Sequence, residues 1–243
     1  MRKNDIVYIL KNGVNPYELR HSLRSVCENF PYKRIWFYGG APEGITADVQ
    51  VKFEQSGNTK FKRAMSTYKE IMQNDEITED FWLFNDDFFI WQKITEYEPV
   101  YVGNLANRIK NIEARHGCST QYTLMLRATL QELRRHGLDT LDYGAHCPIL
   151  INRKKGLEVL KLYPDCSFRS AYGNHCHIGG KQVKDYKIQN LRDYPDDREF
   201  VSTSDVSFRS GNVGKCIRSK FCDPCKYETD LKRREADIDG YEE

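Results

Sequence analysis

The chain has no apolar run near the ~20 residues that a membrane-spanning helix needs. No apolar region of signal-peptide type follows Met1-Arg2-Lys3-Asn4-Asp5 either, so a cytoplasmic protein is expected. Charge of one sign is also missing. Lys and Arg number 37 against 35 Asp and Glu, a net of +2, so no overall basic field argues for nucleic acid, although a local basic groove stays open. The eight cysteines are dispersed and contain one C-x-x-C pair, Cys222 and Cys225, with Cys216 six residues before it. A structural zinc site takes four ligands, usually from two such pairs, so free thiols are the expectation. There is no internal repeat and no clear linker in the 243 residues. One domain is expected over residues 1–229. The charged stretch 230–243, poor in apolar residues, is expected to be disordered or a solvated helix end.

What stands out is Phe81-Trp82-Leu83-Phe84-Asn85-Asp86-Asp87-Phe88-Phe89-Ile90-Trp91. Two adjacent acids sit between two aromatic-rich arms, each of strand length and composition. An ionised carboxylate is not buried without a partner or a metal. A strand that breaks for Asn-Asp-Asp and resumes points to a turn at the C-terminal edge of a sheet, where open α/β sheets bind ligands. Mg²⁺ and Mn²⁺ choose carboxylate oxygens and bridge to diphosphates, so Asp86 and Asp87 are the candidate metal ligands. The competing account is an Asn-Asp-Asp β-turn joining a plain hairpin.

Strands and helices alternate around this segment. Ile6 to Leu10 reads as a strand. Pro16 opens a helix with Leu19, Leu23 and Val26 at helical spacing, and Pro31 ends it. Arg34 to Tyr38 and Val49 to Phe53 read as strands. Thr59 caps a helix running to about Met72. This β-α-β-β-α-β order predicts an α/β fold with a mostly parallel sheet flanked by helices. Farther on, residues 105–116, 120–136 and 154–162 read as helices and 142–152 as a sheet element. Residues 168–180, rich in Gly, Asn and His, read as a loop.

His146 lies between a β-type run and Pro148. It is a candidate proton acceptor for an acceptor hydroxyl, or a metal ligand, or a buried histidine with two hydrogen bonds. His175 and His177 are two apart, which on a strand puts both rings on one face. With Asn174 they make a candidate acceptor-binding loop, and Arg169 is a neighbouring candidate. Asp205 follows Ser-Thr-Ser and is a candidate helix start or late general base.

The chain resembles glycosyltransferases of the GT-A fold, and within them the Stealth-type enzymes and related phage or prophage glycosyltransferases. The resemblance rests on Ile6-Val7-Tyr8, Glu18-Leu19-Arg20-His21-Ser22-Leu23-Arg24-Ser25, Pro31, Ile35-Trp36-Phe37 and Phe84-Asn85-Asp86-Asp87-Phe88-Phe89. It is weaker at Ala145-His146-Cys147-Pro148 and Phe168-Arg169-Ser170, and it covers most of residues 6–180. It implies a nucleotide-sugar donor and Mn²⁺ or Mg²⁺ at Asp86 and Asp87. It also implies a base site near Val7 and Tyr8, with Tyr8 stacking or simply a core tyrosine. Arg24 would lie on the diphosphate, or be a surface arginine, and Asn85 on a hydroxyl or on the carboxylates. The Stealth first region ends in an acid, and here that place reads Ile9-Leu10-Lys11-Asn12-Gly13. Sugar transfer is therefore expected over sugar-phosphate transfer. The acceptor is a glycan, a protein or a modified DNA base. The alternatives are a Stealth-type sugar-1-phosphate transferase and a non-catalytic nucleotide-sugar or nucleic-acid binding protein.

Overall fold

The structure is a computed structural model that describes residues 1–11, 13 and 16–229. The expectation for the tail 230–243 lies outside the described residues. The first half contains β1 (Asn4–Leu10), α1 (Pro16–Asn29), β2 (Tyr32–Gly39), β3 (Val49–Val51), α2 (Lys60–Gln73), β4 (Asp80–Phe84) and β5 (Phe88–Ile90). The second contains β6 (Val100–Tyr101), α3 (Leu105–His116), α4 (Gln121–Arg135), β7 (Ile149–Asn152), α5 (Arg153–Leu162) and α6 (Phe168–His175). β8 (Lys181–Gln182), β9 (Lys187–Ile188), β10 (Phe200–Thr203), α7 (Asp205–Ser210) and α8 (Asn212–Lys220) complete it.

The main sheet has the order β3-β2-β1-β4-β7. β1 pairs in parallel with β2 and β4, and β2 with β3, while β7 runs antiparallel to β4. Strands buried on both faces read as continuous apolar runs, and β1 is such a strand. Its Ile6, Tyr8 and Leu10 pack on one side with Leu19, Leu23 and Val26 of α1. Val7 packs on the other with Ile71 and Met72 of α2 and Val159 of α5. Each such fully buried aliphatic contributes roughly 1.5–3 kcal/mol. The helices therefore cover both faces, as the strand–helix alternation predicts. Thr59 caps α2 through its hydroxyl, which accepts from the Lys62 N–H at 3.1 Å.

After β4 the chain leaves the main sheet. Asn85-Asp86-Asp87 forms a tight turn, with the Phe88 N–H on the Asn85 carbonyl at 3.3 Å. β5 then joins a second, three-stranded sheet in the order β5-β10-β9. The two acids thus sit where one sheet hands the chain to another, not at the tip of a hairpin. Among the described residues no helix is long and apolar enough to cross a membrane.

Residues 168–180 depart from the expectation of a loop. Phe168–His175 is helix α6 despite Gly173 and Asn174. Tertiary packing overrides the poor local propensity. A Cβ on Gly173 would stand 2.3 Å from the Tyr143 ring, so glycine permits the close approach of helix and ring. The Asn174 amide donates to the carbonyls of Leu141 and Ser170 at 2.8 and 2.7 Å.

Candidate functional site

A cleft of roughly 760 Å³ opens at the C-terminal ends of β1 and β4. These two strands flank the point where the strand order changes direction, which is where open α/β sheets take their ligands. The volume falls in the usual range for small-molecule pockets. β1 supplies Ile9 and, just past its end, Lys11. Glu18 comes from the first turn of α1, and Lys60, Arg63 and Tyr68 from α2. The β4–β5 turn supplies Asn85, Asp86 and Asp87. His146, Lys187 of β9, Thr203 of β10 and Ser204 and Asp205 at the start of α7 close the far side.

Four carboxylates, Glu18, Asp86, Asp87 and Asp205, share this cleft with the cations Lys11, Lys60, Arg63 and Lys187. Asp87 Oδ2 accepts from Lys187 Nζ at 3.0 Å and from the Ser202 hydroxyl at 2.9 Å. Asp86 is pushed up to about 6, first by burial and then by the Asp87 charge beside it. Glu18 is almost fully buried. Burial, together with the charges of Asp87, Asp86 and Asp205, pushes it up to about 8 against the opposing hydrogen bond from Thr203. That hydrogen bond runs from Thr203 Oγ1 at 3.0 Å. Burial and mutual repulsion thus disfavour ionisation of the floor carboxylates, and a cationic occupant would relieve that repulsion. Among the described residues no group of three or more His, Cys, Asp and Glu stands ready-made around a metal position. The donor set still fits Mg²⁺ or Mn²⁺, which take one or two carboxylates and complete their shell with phosphate and water.

His146 reaches the cleft from a backbone held in the left-handed region, at φ 49°. It is one of two non-glycine residues so placed among those described, the other being His177. Such conformations cost on the order of 1–3 kcal/mol and persist where the surroundings enforce them. The His146 ring is 2.8 Å, through Nδ1, from Asp185 Oδ1.

The other expected site residues lie elsewhere. Val7 and Tyr8 are fully buried in the sheet core, and the Tyr8 hydroxyl pairs with that of Ser22 at 2.8 Å, so Tyr8 cannot stack on a base. Arg24 does not face the cleft. Its Nε and Nη2 clamp Glu228 at 2.7 Å each, and its Nη1 donates to the carbonyls of Phe221 and Cys222. Four of its five donors go to the C-terminal segment, because a buried guanidinium needs a matched carboxylate. Arg169 donates to the carbonyls of Tyr143 and Cys147 and lies over the Phe88 ring. It braces the loop that carries His146. Asn174 is buried in α6. His175 ends that helix and meets the Tyr163 hydroxyl at 3.1 Å, so it shares no strand face with His177. Neither histidine lines the cleft. Cys216, Cys222 and Cys225 are free thiols.

Sequence patterns passed over Lys187 and Asp185, which lie more than a hundred residues from Lys60 and Arg63 and join the site only in the fold. Glu18 and Lys11 carried a signal. Lys11 stands one step past the end of β1, and Glu18 lies in the first turn of the helix that follows it.

No family model matches the sequence, and no curated protein matches it. Solved structures do. The glycosyltransferase GlyE of Streptococcus pneumoniae TIGR4, in its apo form, aligns with 77% of this chain and 47% of its own at 12% identity, with a TM-score of 0.39. 4-Diphosphocytidyl-2C-methyl-D-erythritol synthase aligns over 91% of this chain and 100% of its own at 12% identity, with a TM-score of 0.42. Both are too distant to weigh. The galactosyltransferase LgtC, in complex with donor and acceptor sugar analogs, covers 98% of this chain and 99% of its own at 12% identity, with a TM-score of 0.50. At that identity the likeness is one of architecture. The chain has the GT-A fold, a mostly parallel sheet flanked by helices in a single domain.

Proposed function

We propose that this chain is a metal-dependent glycosyltransferase that moves a sugar from a nucleoside-diphosphate sugar to an acceptor hydroxyl. The supporting observation is the pairing of an acidic floor, Asp86 and Asp87, with a basic wall, Lys11, Lys60 and Arg63, at the β1–β4 switch point. A diphosphate carries negative charge that the wall attracts, and a divalent cation lets it also approach the floor. Asp86 and Asp87 would hold Mg²⁺ or Mn²⁺, which supplies charge neutralisation to the leaving diphosphate.

The residues of the chain do the rest. Lys11, Lys60 and Arg63 orient the phosphates. Asn85 at the cleft mouth offers an amide to a sugar or ribose hydroxyl. His146 takes the proton of the acceptor hydroxyl as its oxygen bonds to the anomeric carbon, and the diphosphate departs with the electrons of the broken bond. Asp205, at the first position of α7, stands in the same cleft as a second carboxylate.

Transfer of the sugar alone is favoured over the Stealth-type transfer of sugar phosphate because the end of β1 presents the cation Lys11 where that resemblance calls for an acid. The acceptor class is a glycan, a protein side chain or a modified DNA base. The cytoplasm, a phage host's included, is the compartment that supplies such donors.

Two measurements test the reading. Calorimetry with a nucleoside diphosphate should show binding that Mn²⁺ strengthens, and equal affinity in EDTA would refute the metal role. Chromatography of spent donor should show the nucleoside diphosphate. Monophosphate as the main product would reinstate sugar-phosphate transfer, and binding with no turnover of any donor would leave a binding protein.

A further inference from the structure

His146 gains from the fold a partner that its own stretch of chain does not contain. Asp185, 39 residues on, meets His146 Nδ1 at 2.8 Å and accepts from the Lys187 N–H at 3.1 Å through the same oxygen. Its other oxygen accepts from Arg108 Nη2 of α3 at 2.9 Å. Arg108 stands 3.5 Å from Asp142, whose second oxygen takes the Gly144 N–H at 2.9 Å, two residues before His146. The carboxylate is thus fixed by three polar contacts, and the guanidinium behind it is tied back to the loop that carries the histidine. The remaining ring nitrogen, Nε2, has no partner among the described residues.

We propose that Asp185 is the positioning residue of His146, holding the neutral ring with its proton on Nδ1 and its lone pair on Nε2, toward the cleft. An ionised carboxylate has no proton to give, so the nitrogen facing it must be the donor. Burial alone would raise Asp185. The hydrogen bond with His146, the Lys187 N–H and the Arg108 charge oppose it, and the group lies below the ordinary carboxylate range. When Nε2 takes a proton from a hydroxyl, the resulting imidazolium faces that carboxylate, which offsets its charge. This deepens the reading of His146 as the base and rests on it. A merely structural Asp185 would fasten two loops together and leave the tautomer without consequence.

The test uses the full chain labelled with ¹⁵N on histidine. Long-range ¹H–¹⁵N spectra of the neutral ring should show His146 protonated at Nδ1, with the signal assigned by its loss in His146→Asn. Asp185→Ala should remove the acceptor and bring up the ring protonated at Nε2. It should also lower kcat for the donor by ~10²–10⁴-fold, the usual worth of a general base, with donor KM nearly unchanged. Wild-type His146 protonated at Nε2 overturns the inference without any variant. So does an Asp185→Ala protein that keeps kcat. Failure of the base reading is separable, because there His146→Asn keeps full turnover whatever its tautomer.

Discussion

Replacing Arg24 by Ala separates two roles for that residue. Its guanidinium and the Glu228 carboxylate are 8% and 1% exposed and meet at 2.7 Å, so the variant leaves a buried carboxylate without its main partner. Breaking such a pair costs about 3–5 kcal/mol. Arg20 stays 3.5 Å from Glu228 and the Cys225 N–H donates to it at 2.9 Å, which places the loss at the lower end. For a domain of this size about 3 kcal/mol lowers Tm by roughly 6–12 °C. Scanning calorimetry at neutral pH reads this directly. Arg24→Lys keeps the charge but loses the fork and should fall between. Glu228 is held below its ordinary value of 4.5: burial raises it, and the Arg24 bonds and charge outweigh burial. A depressed carboxylate stabilises the fold above its unfolded pKa and loses that contribution as pH falls through its folded pKa. The gap between wild type and Arg24→Ala should therefore be full at neutral pH and close below about 4.5. Nucleoside-diphosphate affinity, measured where both proteins are folded, should not change. An unchanged Tm with lost nucleotide binding would return Arg24 to the diphosphate and refute the buried-pair account.

Glu18→Gln should grow relatively more stable as pH rises. A carboxyl held near 8 in the fold costs the wild type stability between about 4.5 and 8, because the unfolded chain ionises first. Denaturation midpoints for both proteins should diverge across that window and run parallel above it, and a constant gap would show Glu18 ionised throughout. His146→Asn should lower turnover by ~10²–10⁴-fold while the melting temperature moves little, since Asn tolerates the left-handed backbone and removes the basic nitrogen. Lost stability with intact specific activity would make His146 a packing residue. Asp87→Asn should abolish the gain in nucleoside-diphosphate affinity that Mn²⁺ gives, and titration calorimetry that still shows the full gain would move the cation elsewhere.

Much of the sheet was legible because its signals are local. Ile6 to Leu10 and Phe81 to Phe84 are apolar runs of strand length, and Thr59 is a cap whose hydroxyl needs only the next turn. The placement of Asp86 and Asp87 followed from chemistry, since two acids amid aromatics must lie at an edge. The roles of Arg24 and Arg169 were not legible. Whether a guanidinium meets phosphate or a buried partner depends on chain far away, here Glu228 and the carbonyls of Tyr143 and Cys147. Helix α6 was hidden for a related reason. Gly173 and Asn174 oppose helix locally, and the contact with Tyr143 and the bonds to Leu141 that justify them come from another segment.

The clamp between Arg24 and Glu228 also sets a schedule. The two residues are 204 positions apart, so α1 emerges from a ribosome long before its counterion exists. At ~5–20 residues per second that interval lasts roughly 10–40 s. Throughout it, the face of α1 that will be sealed carries a guanidinium that cannot be dehydrated without penalty. The C-terminal segment can therefore seal that face only after residue 228 has been synthesised.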